Sequence, residues 1–315
     1  MNDHVVFSCV HLSLNEEGNP IDMDGASLQE LAQDYSLMKF GHPDALERVA
    51  ARMVKRICDE LVNGEHLGPL VRNVGDDPAY FYLTSPGIRN VHSAASLLAR
   101  SLMFGINEHL TQLALPTFIH KPLTRLASGS ADYATLDADS RRNREKTTKT
   151  LLPVSDFKEQ PIHVLFIDDA WVTGTTARRA RDRALAAGAR SCHQLVAIKV
   201  DEEVAKEDSA IEDRLNRSVI HGGLDANVAG IINHPHFEPV QRLLRLVLHP
   251  QNREDLPGFC DQLDVTGLLK VYRSALANDY LWIRPEEGQG ERQQHGFYGE
   301  SLHQLGGLLR GRSPR

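Results

Sequence analysis

Residues 162–176 constrain this chain more than any other stretch, because they ask for a buried strand, a tight turn and a helix start in immediate succession. The run begins at Ile162, continues through Val164, Leu165, Phe166 and Ile167 as an apolar segment suited to a parallel strand buried on both faces, and ends on two adjacent carboxylates, Asp168 and Asp169. Thr173, Gly174, Thr175 and Thr176 then form a hydroxyl-rich turn that opens a helix over residues 177–187, stopped by Gly188. Such a strand, turn and helix aim several backbone N–H groups and the positive end of a helix dipole at one point, which suits a phosphate dianion. The glycine lets the backbone come close, and the threonine hydroxyls add donors.

Two carboxylates a few residues before that cradle fit a ligand carrying both a phosphate and vicinal hydroxyls, since carboxylates accept hydrogen bonds from hydroxyls and tolerate a nearby magnesium ion. The stretch resembles the ribose-phosphate-binding signature of type I phosphoribosyltransferases: an apolar strand, two acidic residues, three variable residues and a Thr-Gly-x-Thr turn. All marked positions are met. The resemblance implies an α/β fold with a mostly parallel sheet flanked by helices, and a site beyond the strands' carboxyl ends. It also implies binding of 5-phosphoribosyl-1-pyrophosphate (PRPP). Asp168 and Asp169 would hold the ribose hydroxyls, and Thr173, Gly174, Thr175 and Thr176 the 5-phosphate. Mg would be held mainly by PRPP with the two aspartates nearby. Other acidic strand ends fit less well. A haloacid dehalogenase phosphatase needs Asp-x-Asp, and Ala170 stands at the second position; a receiver pocket has no use for a Thr-Gly-Thr-Thr cradle; a P-loop needs Gly-Lys before its Ser or Thr.

At 315 residues and 41% hydrophobic content the chain can bury a sizeable core as one large or two modest domains. A net charge of −7 speaks against a general nucleic-acid or membrane surface. Cys9, Cys58, Cys192 and Cys260 have no paired spacing and read as reduced thiols, and no apolar run is long enough to cross a bilayer, so a cytoplasmic protein is expected.

Residues 4–14 alternate loosely and read as a strand without evident partners, before an acidic loop and a short helix at 26–32. From Pro43 onward, Leu46, Val49, Ala50, Met53, Val54, Ile57 and Leu61 recur at helical spacing. The preceding Tyr-Ser-Leu-Met-Lys-Phe-Gly at 35–41 resembles phosphoribosyltransferase-like proteins linked with tellurite-resistance-type stress clusters. Residues 79–84 form an aromatic-rich strand, followed by Ser85, Pro86, Gly87, Ile88 and Arg89 and a helix over 92–104. The resemblance makes this loop the pyrophosphate loop, with Arg89 as its charge, although Pro86-Gly87 replaces the glycine pair or lysine of many members. After a short strand at 115–120, residues 121–150 lose periodicity and gain charge, including Arg125, Arg141 and Arg142. Their place matches the family's flexible loop, and residues 133–143 resemble the corresponding loop of competence-associated phosphoribosyltransferase-like proteins. A solvated charge run is the alternative.

Residues 194–200 read as a strand and 202–217 as one polar helix; beyond, segments 224–232, 237–248 and 265–278 show helical spacing. We therefore expect an N-terminal strand and loop extension at 1–42, a phosphoribosyltransferase-like domain at 43–204, and an appended helical C-terminal cap or docking region at 205–315. His234 and His236 flank a proline, a weak metal signal beside the plainer reading of a surface turn. The function implied by the resemblance is transfer of ribose 5-phosphate from PRPP to an unidentified acceptor with release of pyrophosphate; the alternative is a non-catalytic PRPP or nucleotide sensor on the same fold. Ala170, Trp171 and Val172 are weak candidates for an acceptor pocket. Family members that salvage hypoxanthine and guanine carry an aspartate at the position of Val172, and valine cannot exchange a proton, so a 6-oxopurine acceptor is not expected. A homodimer is left open.

Overall fold

The computed structural model describes residues 5–14, 20–22, 28–72, 80–86, 90–121, 123–125, 150–151, 161–208, 210–278, 280 and 297–312. Its centre is a six-stranded sheet built from β1 (Val6–Leu14), β2 (Pro20–Asp22), β3 (Tyr80–Thr84), β4 (Phe118–His120) and two long strands at Ile162–Trp171 and Ser191–Val200. Between β4 and the long pair, β5 (Thr124–Arg125) and β6 (Thr150–Leu151) form a separate antiparallel ribbon, so the long strands are β7 and β8. The order is β2-β1-β8-β7-β3-β4, with every pairing parallel except β1 with β2. The expected α/β class, a mostly parallel sheet flanked by helices with a helical C-terminal region, is the observed one.

β7 and β8 lie in the interior of the sheet because they are apolar on both faces. Alternation sends Leu165 and Ile167 into the larger core cluster and Val164 and Phe166 into a second, smaller one. The partner that the sequence did not reveal for β1 is the distant β8, where Phe7 pairs with Leu195 in register. Helix α1 (Leu28–Lys39) runs seven residues beyond the short helix expected at 26–32 and packs on α2 (Pro43–Asn63), whose buried Leu46, Val49, Ala50, Met53, Ile57 and Leu61 lie on the predicted stripe. A further short helix, α3 (Gly68–Arg72), precedes β3, and α4 (Ala94–Gln112) starts on Ser93, whose hydroxyl accepts the Ser96 N–H. It runs past the expected end at residue 104, and Gly105 lies close against α2: a Cβ there would come within 2.7 Å of the Val54 side chain.

Helix α5 (Thr175–Ala186) follows the turn after β7. The single polar helix expected over 202–217 is instead two, α6 (Glu202–Glu207) and α7 (Ile211–Asn216). The chain leaves helical geometry at Asp208, whose carboxylate accepts the Ala210 N–H at 3.1 Å and competes with the helical pattern. The remaining helices, α8 (Ala226–Asn233), α9 (Gln241–Leu248), α10 (Leu256–Cys260), α11 (Val265–Ala277) and α12 (Gly299–Arg312), bury Leu244, Val271 and Leu305 in the same cluster that holds Phe7 and Ile167. Among the described residues no helix is long and apolar enough to cross a membrane.

Candidate functional site

β7 does not stop at the acidic pair but stays hydrogen-bonded to β8 through Trp171, with Asp168 opposite Val196 and Trp171 opposite Lys199. Asp168 and Asp169 are thus held by a paired strand rather than a loop. The Asp168 carboxylate accepts the Asp169 N–H at 3.0 Å, and the Asp169 carboxylate accepts from the Lys39 ammonium at 2.7 Å. A second carboxylate, Glu212 of α7, lies 3.9 Å from the same ammonium, and all three side chains are largely buried, between 8% and 14% exposed. Burial above all, and then the neighbouring charge of Asp169, push the Asp168 carboxyl well above the usual carboxylate range, with Lys39 pulling the other way.

Tyr35, one turn before Lys39, is completely buried, and its hydroxyl finds no hydrogen-bond partner among the described residues. Its ring lies 5.4 Å beneath the Lys39 ammonium, and burial, reinforced first by Asp169 and then by Glu212, raises its phenol above the ordinary range. The carboxyl-terminal part of α1 therefore contributes to the site as much as β7 does. Sequence reasoning missed Lys39, Tyr35 and Glu212 as members of it. The 35–41 stretch stood out, but nothing local connects Lys39 to a carboxylate 130 residues away.

The helix starts two residues earlier than expected, at Thr175, so Thr175 and Thr176 belong to its first turn and Gly174 is its N-cap. Gly174 adopts φ +66°, and a Cβ there would come within 2.3 Å of the Trp171 ring. It caps α5 without a side chain, so the first-turn N–H groups keep no side-chain acceptor from that position. The Thr173 and Thr175 hydroxyls are 3.0 Å apart, and the Arg178 guanidinium donates to the Thr173 carbonyl while lying 5.8 Å from the Trp171 ring. Thr173 and Thr176 are exposed. Of the three variable residues, Ala170 and Val172 pack against the larger core cluster and Trp171 against the smaller one.

At the neighbouring end of β3, Ser85 is fully buried and Thr84 nearly so; neither hydroxyl has a partner among the described residues, and the Ser85 carbonyl accepts the Leu123 N–H at 3.3 Å. Pro86 is half-buried, and Gly87, Ile88 and Arg89 lie outside the described residues. Where the chain resumes, the Asn90 amide donates to the Ala277 carbonyl at 2.5 Å, and the Gln241 amide donates to the Val91 carbonyl at 2.9 Å. Arg125 is in β5, paired through its backbone with Thr150; its side chain, like Arg141 and Arg142, lies outside the described residues. His234 is 3.2 Å from the Asp44 carboxylate and its ring is 5.8 Å from that of His236. Among the described residues no cluster of three or more His, Cys, Asp or Glu could hold a metal ion.

No family model and no curated protein matches this chain. Solved structures do. A hypoxanthine phosphoribosyl transferase of Trypanosoma cruzi is 16% identical over 50% of this chain and 66% of its own, with a TM-score of 0.33. The Trypanosoma cruzi hypoxanthine phosphoribosyltransferase in complex with the product IMP is 15% identical over 49% and 65%, with a TM-score of 0.31. This chain thus spans just under two thirds of the length of either. At these values the site stands on this chain's own strand, turn and helix.

Proposed function

We propose that this chain binds PRPP with Mg and transfers its ribose 5-phosphate unit to an acceptor other than a 6-oxopurine. The observation that carries the reading is the pairing of Asp168 and Asp169, at the carboxyl end of a central parallel strand, with a left-handed Gly174 that opens the twelve-residue helix α5. The 5-phosphate would accept from the N–H groups of the first turn of α5 and from the Thr173, Thr175 and Thr176 hydroxyls, while the acidic pair accepts from the ribose hydroxyls. The two aspartates offer hard oxygen donors of the kind Mg prefers, and the ion would be held chiefly by the ligand's own ribose and pyrophosphate oxygens. When bound, it supplies charge neutralisation for the leaving pyrophosphate. In the transfer, the bond from the anomeric carbon to the pyrophosphate oxygen breaks with its electron pair going to pyrophosphate. A bond from the acceptor nucleophile to that carbon forms, and the acceptor gives up its proton. In its ionised form the Asp168 carboxylate would stabilise the positive charge that develops at the anomeric carbon. The loop at 85–89 and the segment around Arg125, Arg141 and Arg142 would meet the pyrophosphate, and the C-terminal region would act as a cap holding the first of these through the bonds of Asn90 and Val91 to Ala277 and Gln241.

One observation favours the rival reading of a sensor that binds without turnover: Lys39 already neutralises one member of the acidic pair. Calorimetric titration with Mg and PRPP tests the binding shared by both readings. Asp168→Asn with Asp169→Asn removes charged hydrogen bonds worth about 1.5–3 kcal/mol each, so affinity should fall at least tenfold. Unchanged affinity in a folded double variant sinks the assignment. Pyrophosphate release with a panel of acceptors separates enzyme from sensor.

A further inference from the structure

The acidic pair is not symmetric. Asp169 is tied to the Lys39 ammonium at 2.7 Å, and the same ammonium faces Glu212 and the Tyr35 ring, so three surrounding groups hold it in one place. Lys39 itself is 7% exposed, which leaves little of it for a ligand. The Asp168 carboxylate has no ion-pair partner among the described residues; the hydrogen bond it accepts there is from the Asp169 N–H, and, like Asp169, it is only partly buried. The helix that carries Lys39 is itself clamped. The Ser36 hydroxyl donates to the Asn216 carbonyl at 2.7 Å and accepts the Val219 N–H at 3.2 Å, which ties α1 to the end of α7, the helix that supplies Glu212.

We propose that Lys39 is a positioning residue of this site: by pinning Asp169 it fixes the backbone on which Asp168 sits, and so divides the acidic pair into a fixed member and a ligand-contacting one. This rests on the reading that the site takes a ribose phosphate. The physical reason is that the Asp169 N–H orients the Asp168 carboxylate, while the Asp169 side chain is anchored to a helix on the other side of the cluster. Freeing that side chain would let the strand end at 168–169 relax and leave two largely buried carboxylates, Asp169 and Glu212, without the cation between them. The pin acts on the ligand only through Asp168.

A double-mutant cycle between Lys39 and Asp168 tests this, read as the affinity of the full chain for PRPP with Mg. Lys39→Met should weaken binding about tenfold in the otherwise native chain and less than about twofold when Asp168→Asn is already present, because the contact it organises is then gone. Lys39→Arg, which keeps the charge, should retain most of the affinity. Where Lys39→Met does not fold, Lys39→Gln, which keeps a donor for Asp169, takes its place in the cycle. Equal losses from the Lys39 change in both backgrounds, or no loss in either, overturn the positioning role while leaving PRPP binding intact. Absence of binding by the native chain overturns the functional reading and this role with it.

Discussion

Replacing Gly174 by alanine probes the turn on which the phosphate cradle depends. Its φ of +66° lies in the left-handed region, where an L-residue costs about 1–2 kcal/mol. The new methyl group would also lie 2.3, 2.6 and 2.7 Å from three atoms of the Trp171 ring, and that ring is packed against the smaller core cluster. Overpacking of this kind costs about 1–3 kcal/mol, so the two terms together amount to about 2–5 kcal/mol. One kcal/mol moves the melting temperature by about 2–4 °C in chains of 150–250 residues and by less in a longer chain, so a drop of about 3–10 °C is expected. Differential scanning calorimetry measures it. Making the change in a Trp171→Ala background removes the steric part and should leave about 1–2 kcal/mol relative to Trp171→Ala alone. Gly230→Ala is the control: the residue lies in α8 with nothing within 4 Å of the added methyl, so alanine should stabilise by about 0.5–1 kcal/mol. A Gly174→Ala protein melting within about 1 °C of the native chain would refute the argument.

With Mg and PRPP, hypoxanthine and guanine should give no efficient pyrophosphate release, because Val172 cannot exchange a proton with a purine ring; turnover comparable to that with any other active base would show that another residue compensates. Burial holds His42, His92, His120, His163 and His249 below their ordinary value near 6.5. Below that value the unfolded chain binds more protons at these groups than the folded one, so their stabilising effect is complete above pH 6.5 and is lost as pH falls toward the folded values. The raised carboxyl of Asp168 works the other way. Urea midpoints should therefore be lower at pH 5.5 than at 7.5, and the reverse order would count against the burial of these imidazoles. Burial also pushes the thiols of Cys58 and Cys260 up to about 11 and that of Cys192 up to about 12. A colourimetric thiol reagent at pH 8 should thus label only the half-buried Cys9 quickly, and fast reaction of two or more thiols in the native protein would contradict the core described above.

The strand, turn and helix at 162–186 were legible in the sequence because each is dictated locally. A continuous apolar run makes a two-sided strand, glycine alone takes φ +66° without penalty, and the alanines at 177, 180 and 184 supply the small buried face of α5. The stripe of α2 was readable for the same reason, since its period repeats within one segment. The break at Asp208 was not, because one polar residue with a local hydrogen bond is enough to end a helix whose composition is otherwise helical throughout. What the tertiary structure alone decided is which distant residues meet. β1 inserts between β2 and β8, and Lys39 reaches Asp169 across 130 residues. Residue spacing records which face of its own helix or strand a side chain occupies, whereas the partner it meets there depends on how whole elements pack. Lys39 is thus legible in sequence only as a basic residue in the last turn of α1, and it joins the site because α1, α7 and β7 bury their apolar faces together and place its ammonium beside the carboxylates of Asp169 and Glu212.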